Sequence, residues 1–245
     1  MFDLLVEPRG RTLHVTARYR PRSATRGANV LLGSRFRLLA AQTLLHYPAL
    51  WWASQHGRVP LHVSVTSGAD GVTMIAGPSG VGKSTMLSAG LPHGEIATAD
   101  NIYACDSRTA YGLVEPLRVE GGPAGPAAPH GRREVPLAGR VPCLDPDRLV
   151  VLGRAAAGEE TMVRPLSPED AAHALVAGTY MAGELRRFWP FAATLALATG
   201  IGPAHPDVSG VATALAARLP CIGEVRAAHG APAPIGELLR MAGTA

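Results

Sequence analysis

Lysine is almost absent from this chain of 245 residues. Of its 23 basic residues, 22 are arginine and a single one, Lys83, is lysine. Cysteine is scarce too. Cys105, Cys143 and Cys221 lie far apart and show no metal-ligand spacing, which fits reduced core thiols in a cytoplasmic protein rather than a disulfide framework. No dense basic block accompanies the net charge of +4: the arginines are scattered, with nothing richer than pairs such as Arg132, Arg133 and Arg186, Arg187, so a nucleic-acid partner has no support. The stretch from Met1 to Arg11 carries Asp3 and Glu7 and lacks the basic start and apolar run of a signal peptide. The most apolar segment, Phe188 to Ala204, is broken by Pro190, Gly200, Gly202 and Pro203, and reads as a core helix rather than a membrane span. With 47% hydrophobic residues, wholesale disorder is excluded as well.

What is present centres on Gly77 to Thr85, which reads Gly77, Pro78, Ser79, Gly80, Val81, Gly82, Lys83, Ser84, Thr85 behind the apolar run Val72 to Ala76. Gly77, Gly82, Lys83 and Ser84 fill every fixed place of the phosphate-loop pattern G-x-x-x-x-G-K-[ST], with a strand before it and a helix after it. Glycines let the backbone turn tightly and aim successive N–H groups into one concavity, and the following helix adds its positive end. Lys83 is placed to reach the outer phosphates and the Ser84 hydroxyl to ligate Mg²⁺, so ATP with Mg²⁺ is the expected ligand. A compact ammonium suits that position better than a planar guanidinium, which gives the one lysine its meaning.

Along the chain, Phe2 to Glu7 and Thr12 to Tyr19 read as paired strands. An Arg/Ser/Gly-containing loop precedes a helix from Arg35 to His46, which Pro48 is expected to interrupt before Trp51 and Trp52, themselves core or interface anchors. Pro60 to Thr66 reads as one strand, with Leu61, Val63 and Val65 on one face and His62, Ser64 and Thr66 on the other. Gly68 to Gly71 turns into the strand that feeds the loop. The loop helix spans about Gly82 to Leu91, and a short strand, Glu95 to Ala99, leads to Asp100.

Strand, turn and strand follow from Ile102 to Val119, with Asp106 to Thr109 as the turn. Gly121 to Arg133 is too rich in glycine and proline for a regular element and reads as a connector or an active-site flap. Strands are expected at Leu149 to Leu152, Met162 to Leu166 and Cys221 to Val225. Helices are expected from a Ser167 cap through Tyr180, from Gly183 to Thr199, from Val208 to Leu219 and near Ile235 to Met241. The class is therefore α/β or α+β with a mixed sheet and a helical final third. The chain divides into a small strand and helix region at 1–58, a nucleotide-binding core at 59–166 and a helical part at 167–245.

A phosphate loop alone does not name a chemistry; the second acidic residue decides. The strand at Leu149 to Leu152 ends in Gly153 and Arg154 without an aspartate, and the L-S-G-G-Q signature of transporter ATPases is missing. Asp100 instead arrives 17 residues after Lys83, at the end of the next strand, with His62 standing 15 residues before Gly77. This layout resembles the HPr kinase/phosphorylase family and its relatives of the phosphoenolpyruvate-carboxykinase-like fold. Their pattern is a histidine on the strand before the loop, G-x-S-G-x-G-K-S, and an Asp-Asp pair after one helix and one short strand.

The resemblance covers Leu61 to Asp106 and implies ATP-dependent phosphorylation of a hydroxyl, of the Ser/Thr type, on a peptide, small protein or small metabolite. Short relatives act as tailoring kinases in natural-product pathways such as those of lasso peptides. Asp100, His62 and Lys83 are then the catalytic candidates, and Ser84 with Asp100 the metal ligands. Glu115 and Arg118 are weaker candidates for a metal or phosphate contact, with Arg132 and Arg133 behind them. The sequence departs from the pattern at Asn101, which stands where the pair has its second aspartate and cannot accept a proton. A catalytically weakened nucleotide-binding regulatory or scaffold module is therefore the alternative. Neither a nucleic acid nor a membrane is an expected partner, and oligomerisation, common in the family, stays open.

Overall fold

The computed structural model describes residues 2–119, 128, 131–137, 139–154, 162–227 and 235–241. Strands β1 (Phe2–Arg9) and β2 (Thr12–Tyr19) form an antiparallel hairpin, as their alternation predicts. Helices α1 (Ser23–Leu31) and α2 (Gly33–Ala41), a π-helical turn at Gln42–His46, and α3 (Tyr47–Ser54) follow almost without interruption. Two expectations are corrected here. The loop expected before Arg35 is largely helix α1, and Pro48 does not interrupt the helix but lies in the first turn of α3. The reason is the π turn: the Tyr47 N–H reaches back to the Gln42 carbonyl, one residue further than in an α-helix, so the spacing at which the proline ring clashes is widened.

Next come β3 (Val59–His62), β4 (Ser64–Gly68), β5 (Gly71–Ala76), α4 (Lys83–Gly90), β6 (Ile96–Ala97), β7 (Ile102–Cys105), β8 (Ala110–Gly112) and β9 (Leu117–Val119). They are followed by β10 (Arg133–Val135), β11 (Cys143–Leu144), β12 (Arg148–Arg154) and β13 (Met162–Arg164). The chain then forms α5 (Pro168–Tyr180), α6 (Phe188–Thr199), α7 (Val208–Arg218), β14 (Cys221–Ala227) and α8 (Ile235–Met241).

Most of the Gly121 to Arg133 segment lies outside the described residues, but its last residue, Arg133, opens β10, which pairs with β9. Residues 183–187, expected as helix, are turns, and the second strand expected between Ile102 and Val119 is split into β8 and β9.

A six-stranded mixed sheet, in the order β13-β14-β12-β5-β4-β6, forms the centre. β5, β12 and β14 run parallel, and β4 and β13 flank them antiparallel. Side chains alternate across it. Met74, Ala76 and Leu149 pack with α5 and α7 on one face, whereas Ile75, Val150 and Leu152 pack on the other with Met86 of α4 and Leu239 of α8. The class is thus α+β with layers on both faces of a mixed sheet.

A second sheet, β11-β8-β7-β3, is antiparallel. The strand expected over Pro60 to Thr66 breaks at Val63 and passes from this sheet into the central one, yet Leu61, Val63 and Val65 still enter a single core. Sheet pairing changes across the break while the side-chain alternation does not. Trp51 is a core residue, enclosed with Tyr47, Leu50 and Phe188. Among the described residues no helix is long and apolar enough to cross a membrane.

Helix α5 begins as its sequence predicts: the Ser167 hydroxyl accepts a hydrogen bond from the Asp170 N–H at 3.1 Å, with Pro168 at the first helical position. Ser167→Ala is expected to cost about 1 kcal/mol of stability through this lost cap. Urea unfolding checks this as a lower midpoint at unchanged slope.

Candidate functional site

The loop between β5 and α4 leaves the sheet at Gly77, whose φ of 140° is open to glycine alone. A Cβ there would stand 2.7 Å from the Leu152 carbonyl oxygen, so the loop lies directly on β12. Gly80 and Gly82 also have positive φ, 78° and 112°. Pro78, Ser79, Gly80 and Thr85 are exposed, Gly77, Val81 and Lys83 are buried, and Gly82 and Ser84 are half-buried. The Lys83 ammonium folds back over the loop and donates to the carbonyls of Gly77 at 2.9 Å and Pro78 at 3.1 Å. Burial pushes its pKa down to about 8, against the carboxylates of Glu184 and Asp100, which hold it charged. Arg154, at the far end of β12, donates to the Gly80 carbonyl.

Asp100 follows β6 and is enclosed. One carboxylate oxygen accepts the Arg118 N–H at 3.2 Å, and the other, Oδ1, is buried without a hydrogen-bond partner. Burial first, and then the charge of Glu115, raise the Asp100 pKa to about 7, while the Ser84 hydroxyl and Arg118 act in the opposite direction. Asn101 stands beside it and accepts the Ser84 hydroxyl proton at 3.3 Å. The geometry thus brings Lys83, Ser84, Asp100 and Asn101 to one place at the mouth of the loop.

Glu115 and Arg118 belong to this place as well. The enclosed Glu115 carboxylate accepts the N–H groups of Asn101 at 2.9 Å and Ile102 at 3.2 Å, and pairs with the Arg118 guanidinium at 2.8 Å. Tyr103 secures the same turn from the other side. Its hydroxyl donates to the Ala99 carbonyl at 2.8 Å and accepts the N–H groups of Val65 and Ala99. The aspartate is therefore held by backbone contacts on both flanks. Arg133 is exposed at the start of the otherwise half-buried β10, whereas Arg132 borders a cavity described below.

His62 is buried at the end of β3, its N–H donated to Thr179 Oγ1 of α5 at 3.1 Å and its Nδ1 without a partner. Burial, and then the charge of Lys83, push its pKa down to about 4, so the ring is neutral near neutrality. A ring so held is a weak base. Glu184, which the sequence reading missed, acts on Lys83 and His62 and lies 3.9 Å from the Arg118 guanidinium. It comes from the turns before α6, and its backbone carbonyl accepts the Tyr47 hydroxyl at 2.8 Å. No motif marks it, and only the packing of α6 against α3 delivers it.

An open cavity of about 380 Å³ adjoins the loop, bordered by Ser79, Arg118 and Glu184, by Arg132 and Arg187, and by Gln42 of the π turn. Among the described residues no cluster of three or more histidine, cysteine or acidic side chains could hold a metal ion by itself. Mg²⁺ needs no such cage, since it is commonly held by one or two protein oxygens together with substrate phosphates. The unpartnered Asp100 Oδ1 and the adjacent Ser84 hydroxyl are donors of the kind it takes.

The raised pKa of Asp100 has a consequence for stability. A carboxyl group whose folded pKa, about 7, exceeds its unfolded value, about 3.9, contributes stability that is complete below the unfolded value. That stability is lost as pH rises towards 7, at up to roughly 1.4 kcal/mol per pH unit. His62, depressed to about 4, gives the opposite slope below its unfolded pKa of about 6.5, so the informative quantity is the difference between wild type and Asp100→Asn. In EDTA, the variant is expected to gain on wild type between pH 5 and pH 7 in urea unfolding. A difference independent of pH would contradict the burial argument.

No family model matches the chain, and no curated protein matches it. Among solved structures, the Hpr(Ser) kinase/phosphatase from Coxiella burnetii aligns with 44% of this chain and 70% of its own, at 14% identity and a TM-score of 0.30. A likeness of that size carries no argument about fold or activity.

Proposed function

We propose that the chain is an ATP-dependent kinase that transfers the terminal phosphoryl group to a hydroxyl of a peptide, small protein or small metabolite. The observation that carries this reading is the meeting of Lys83, Ser84 and the buried Asp100 carboxylate at the mouth of a glycine-built loop. The ammonium satisfies itself on two loop carbonyls, and a phosphate oxygen is a stronger acceptor for the same group. Backbone N–H groups of the loop and the first turn of α4 would bind the phosphates, which is the use such a loop has.

Bound Mg²⁺, held by Ser84 and Asp100, would supply charge neutralisation between the outer phosphates. The chain's own residues account for the rest. The acceptor oxygen forms its bond to the γ-phosphorus as the bond to the β,γ-bridging oxygen breaks, ADP leaves with that electron pair, and the acceptor proton passes to the Asp100 carboxylate. Asp100, enclosed at the mouth of the loop with Oδ1 free of a hydrogen-bond partner, is the carboxylate that can take it. His62, neutral and immobilised against α5, serves better as a positioning residue beside Lys83 than as a base.

Asn101 favours a second reading, a nucleotide-binding module with little or no catalysis, because the second carboxylate of the kinase pattern is missing there. The two readings separate on turnover.

Lys83→Ala is expected to abolish tight Mg-ATP binding while leaving the fold intact, which calorimetric titration and circular dichroism check together. Unchanged affinity would end the nucleotide assignment. Asp100→Asn is expected to lower phosphoryl transfer by at least about 10²-fold, read as ADP release with an identified acceptor. A wild-type protein that binds Mg-ATP and never releases ADP with any acceptor supports the non-catalytic reading.

A further inference from the structure

Charge is divided unevenly between the first part of the chain and the rest. Residues 1–46 hold eight arginines against two acids, Asp3 and Glu7, for a net +6, which leaves −2 for the remainder of a chain whose total is +4. The arginines stand singly in sequence and form no block. The imbalance emerges once β1, β2, α1 and α2 are taken as one unit, joined where the rings of Phe2, Tyr19 and Phe36 pack together. All eight are exposed. Arg9 pairs with Glu7 and Arg20 with Asp3, which uses both acids, and Arg11, Arg18, Arg22, Arg26 and Arg35 have no carboxylate partner among the described residues.

Within this unit α1 is nine residues long and buries none of them, although Asn29 donates to the Tyr19 hydroxyl. A helix so short is marginal in water unless packing holds an apolar face. Its final turn instead carries Val30 and Leu31, 83% and 84% exposed, followed by Leu32 at 50% where α1 passes into α2. Arginines surround this tip. Arg26 lies one turn before Val30, Arg35 follows on α2, and the Arg37 guanidinium folds back to 4.0 Å from where a Cβ at Gly33 would stand.

Like charge on so basic a surface opposes a second copy of this chain. Three consecutive apolar residues at a helix end point in directions about 100° apart, which makes a tip rather than the i, i+3, i+4 stripe that a protein groove reads. A lipid surface needs no stripe. We infer that this tip docks on an anionic membrane surface: Val30, Leu31 and Leu32 enter the boundary between headgroups and acyl chains, and the surrounding arginines, Arg26 and Arg35 foremost, meet the lipid phosphates. Docking of this kind lies on the bilayer and needs no spanning helix. The sequence expectation against a membrane rests on the absence of a span and of a dense basic run, and a tip assembled by two helices is neither. The inference is independent of the kinase reading.

The test is co-sedimentation of the full chain with vesicles of phosphatidylcholine, alone or in equimolar mixture with phosphatidylglycerol. Binding to the anionic vesicles is expected to be at least about tenfold tighter than to the neutral ones, and to weaken as salt rises. Leu31→Ser, and separately the double variant Arg26→Gln with Arg35→Gln, should each weaken it at least about fivefold while the urea midpoint stays unchanged. Leu31→Trp, which places an interfacial ring at the tip, should strengthen it.

Equal binding to neutral and anionic vesicles, no sedimentation with either, or binding that Leu31→Ser leaves unchanged would each overturn the inference. So would a dimer mass in equilibrium sedimentation that Leu31→Ser abolishes, with vesicles ignored, which would assign the tip to a second copy. Capture by soluble polyglutamate in place of vesicles would likewise overturn it and assign the surface to an acidic chain.

Discussion

Glu115 is an enclosed carboxylate whose two oxygens are divided between the N–H groups of Asn101 and Ile102 and the guanidinium of Arg118. A buried charge in this position is tolerated only because all three donors are present, and removing it would leave the buried Arg118 with only the Glu184 carboxylate at 3.9 Å, at a cost of up to about 3–5 kcal/mol. The backbone at Asn101 is thereby fixed, and with it the direction of the Asp100 side chain. Through the Arg118 N–H the same pair reaches the aspartate itself. The site's geometry therefore depends on a nearly enclosed ion pair, and the raised proton affinity of Asp100 follows from its burial first and from the nearness of that second carboxylate next.

Charge of both signs is confined in a small volume here. Lys83, Arg118 and Arg187 face Glu184, Asp100 and Glu115 around the mouth of the loop. Burial works against the charged forms of Lys83, His62 and Asp100, which is why the first two are depressed while Asp100 is raised. A polyanion with its cation would satisfy donors that now turn inward, the Lys83 ammonium above all. With that ammonium on the loop's own carbonyls, the buried charge is solvated by the protein itself.

The helices complete the site from a distance in sequence. α5 lies against the loop, where a Cβ at Gly178 would stand 3.3 Å from the Gly77 carbonyl oxygen, and Thr179 takes the His62 N–H from the same turn of helix. The stretch from α2 through the π turn to α3 brings Gln42 to the cavity while anchoring Trp51 and Leu50 in the core with Phe188 of α6. One packing interface thus serves stability and places Gln42, Glu184 and Arg187 around one space.

Local chemistry made much of this readable in advance. The loop was legible because its glycines, its lysine and its flanking strand and helix are neighbours in sequence, and Ser167 because a helix cap is decided within four residues. Asp100 was legible by its spacing from Lys83. The alternation of Leu61, Val63 and Val65 held even where the strand crossed between sheets, since burial of one face is set residue by residue. Helix α1, the passage of the helix through Pro48 and the break at Val63 were not legible, because a π turn and a change of strand partner depend on what the chain packs against. Nor were Glu184, Arg187 and Gln42: they meet Arg118 and the loop only when α3 and α6 pack together, from positions dozens of residues away in the chain, and no local pattern records that meeting. The sequence by itself determined where a glycine-built loop turns from strand into helix, because that requires only contiguous backbone. Tertiary structure alone decided what surrounds it, because charges and amides separated along the chain acquire their meaning from the shared space into which burial forces them.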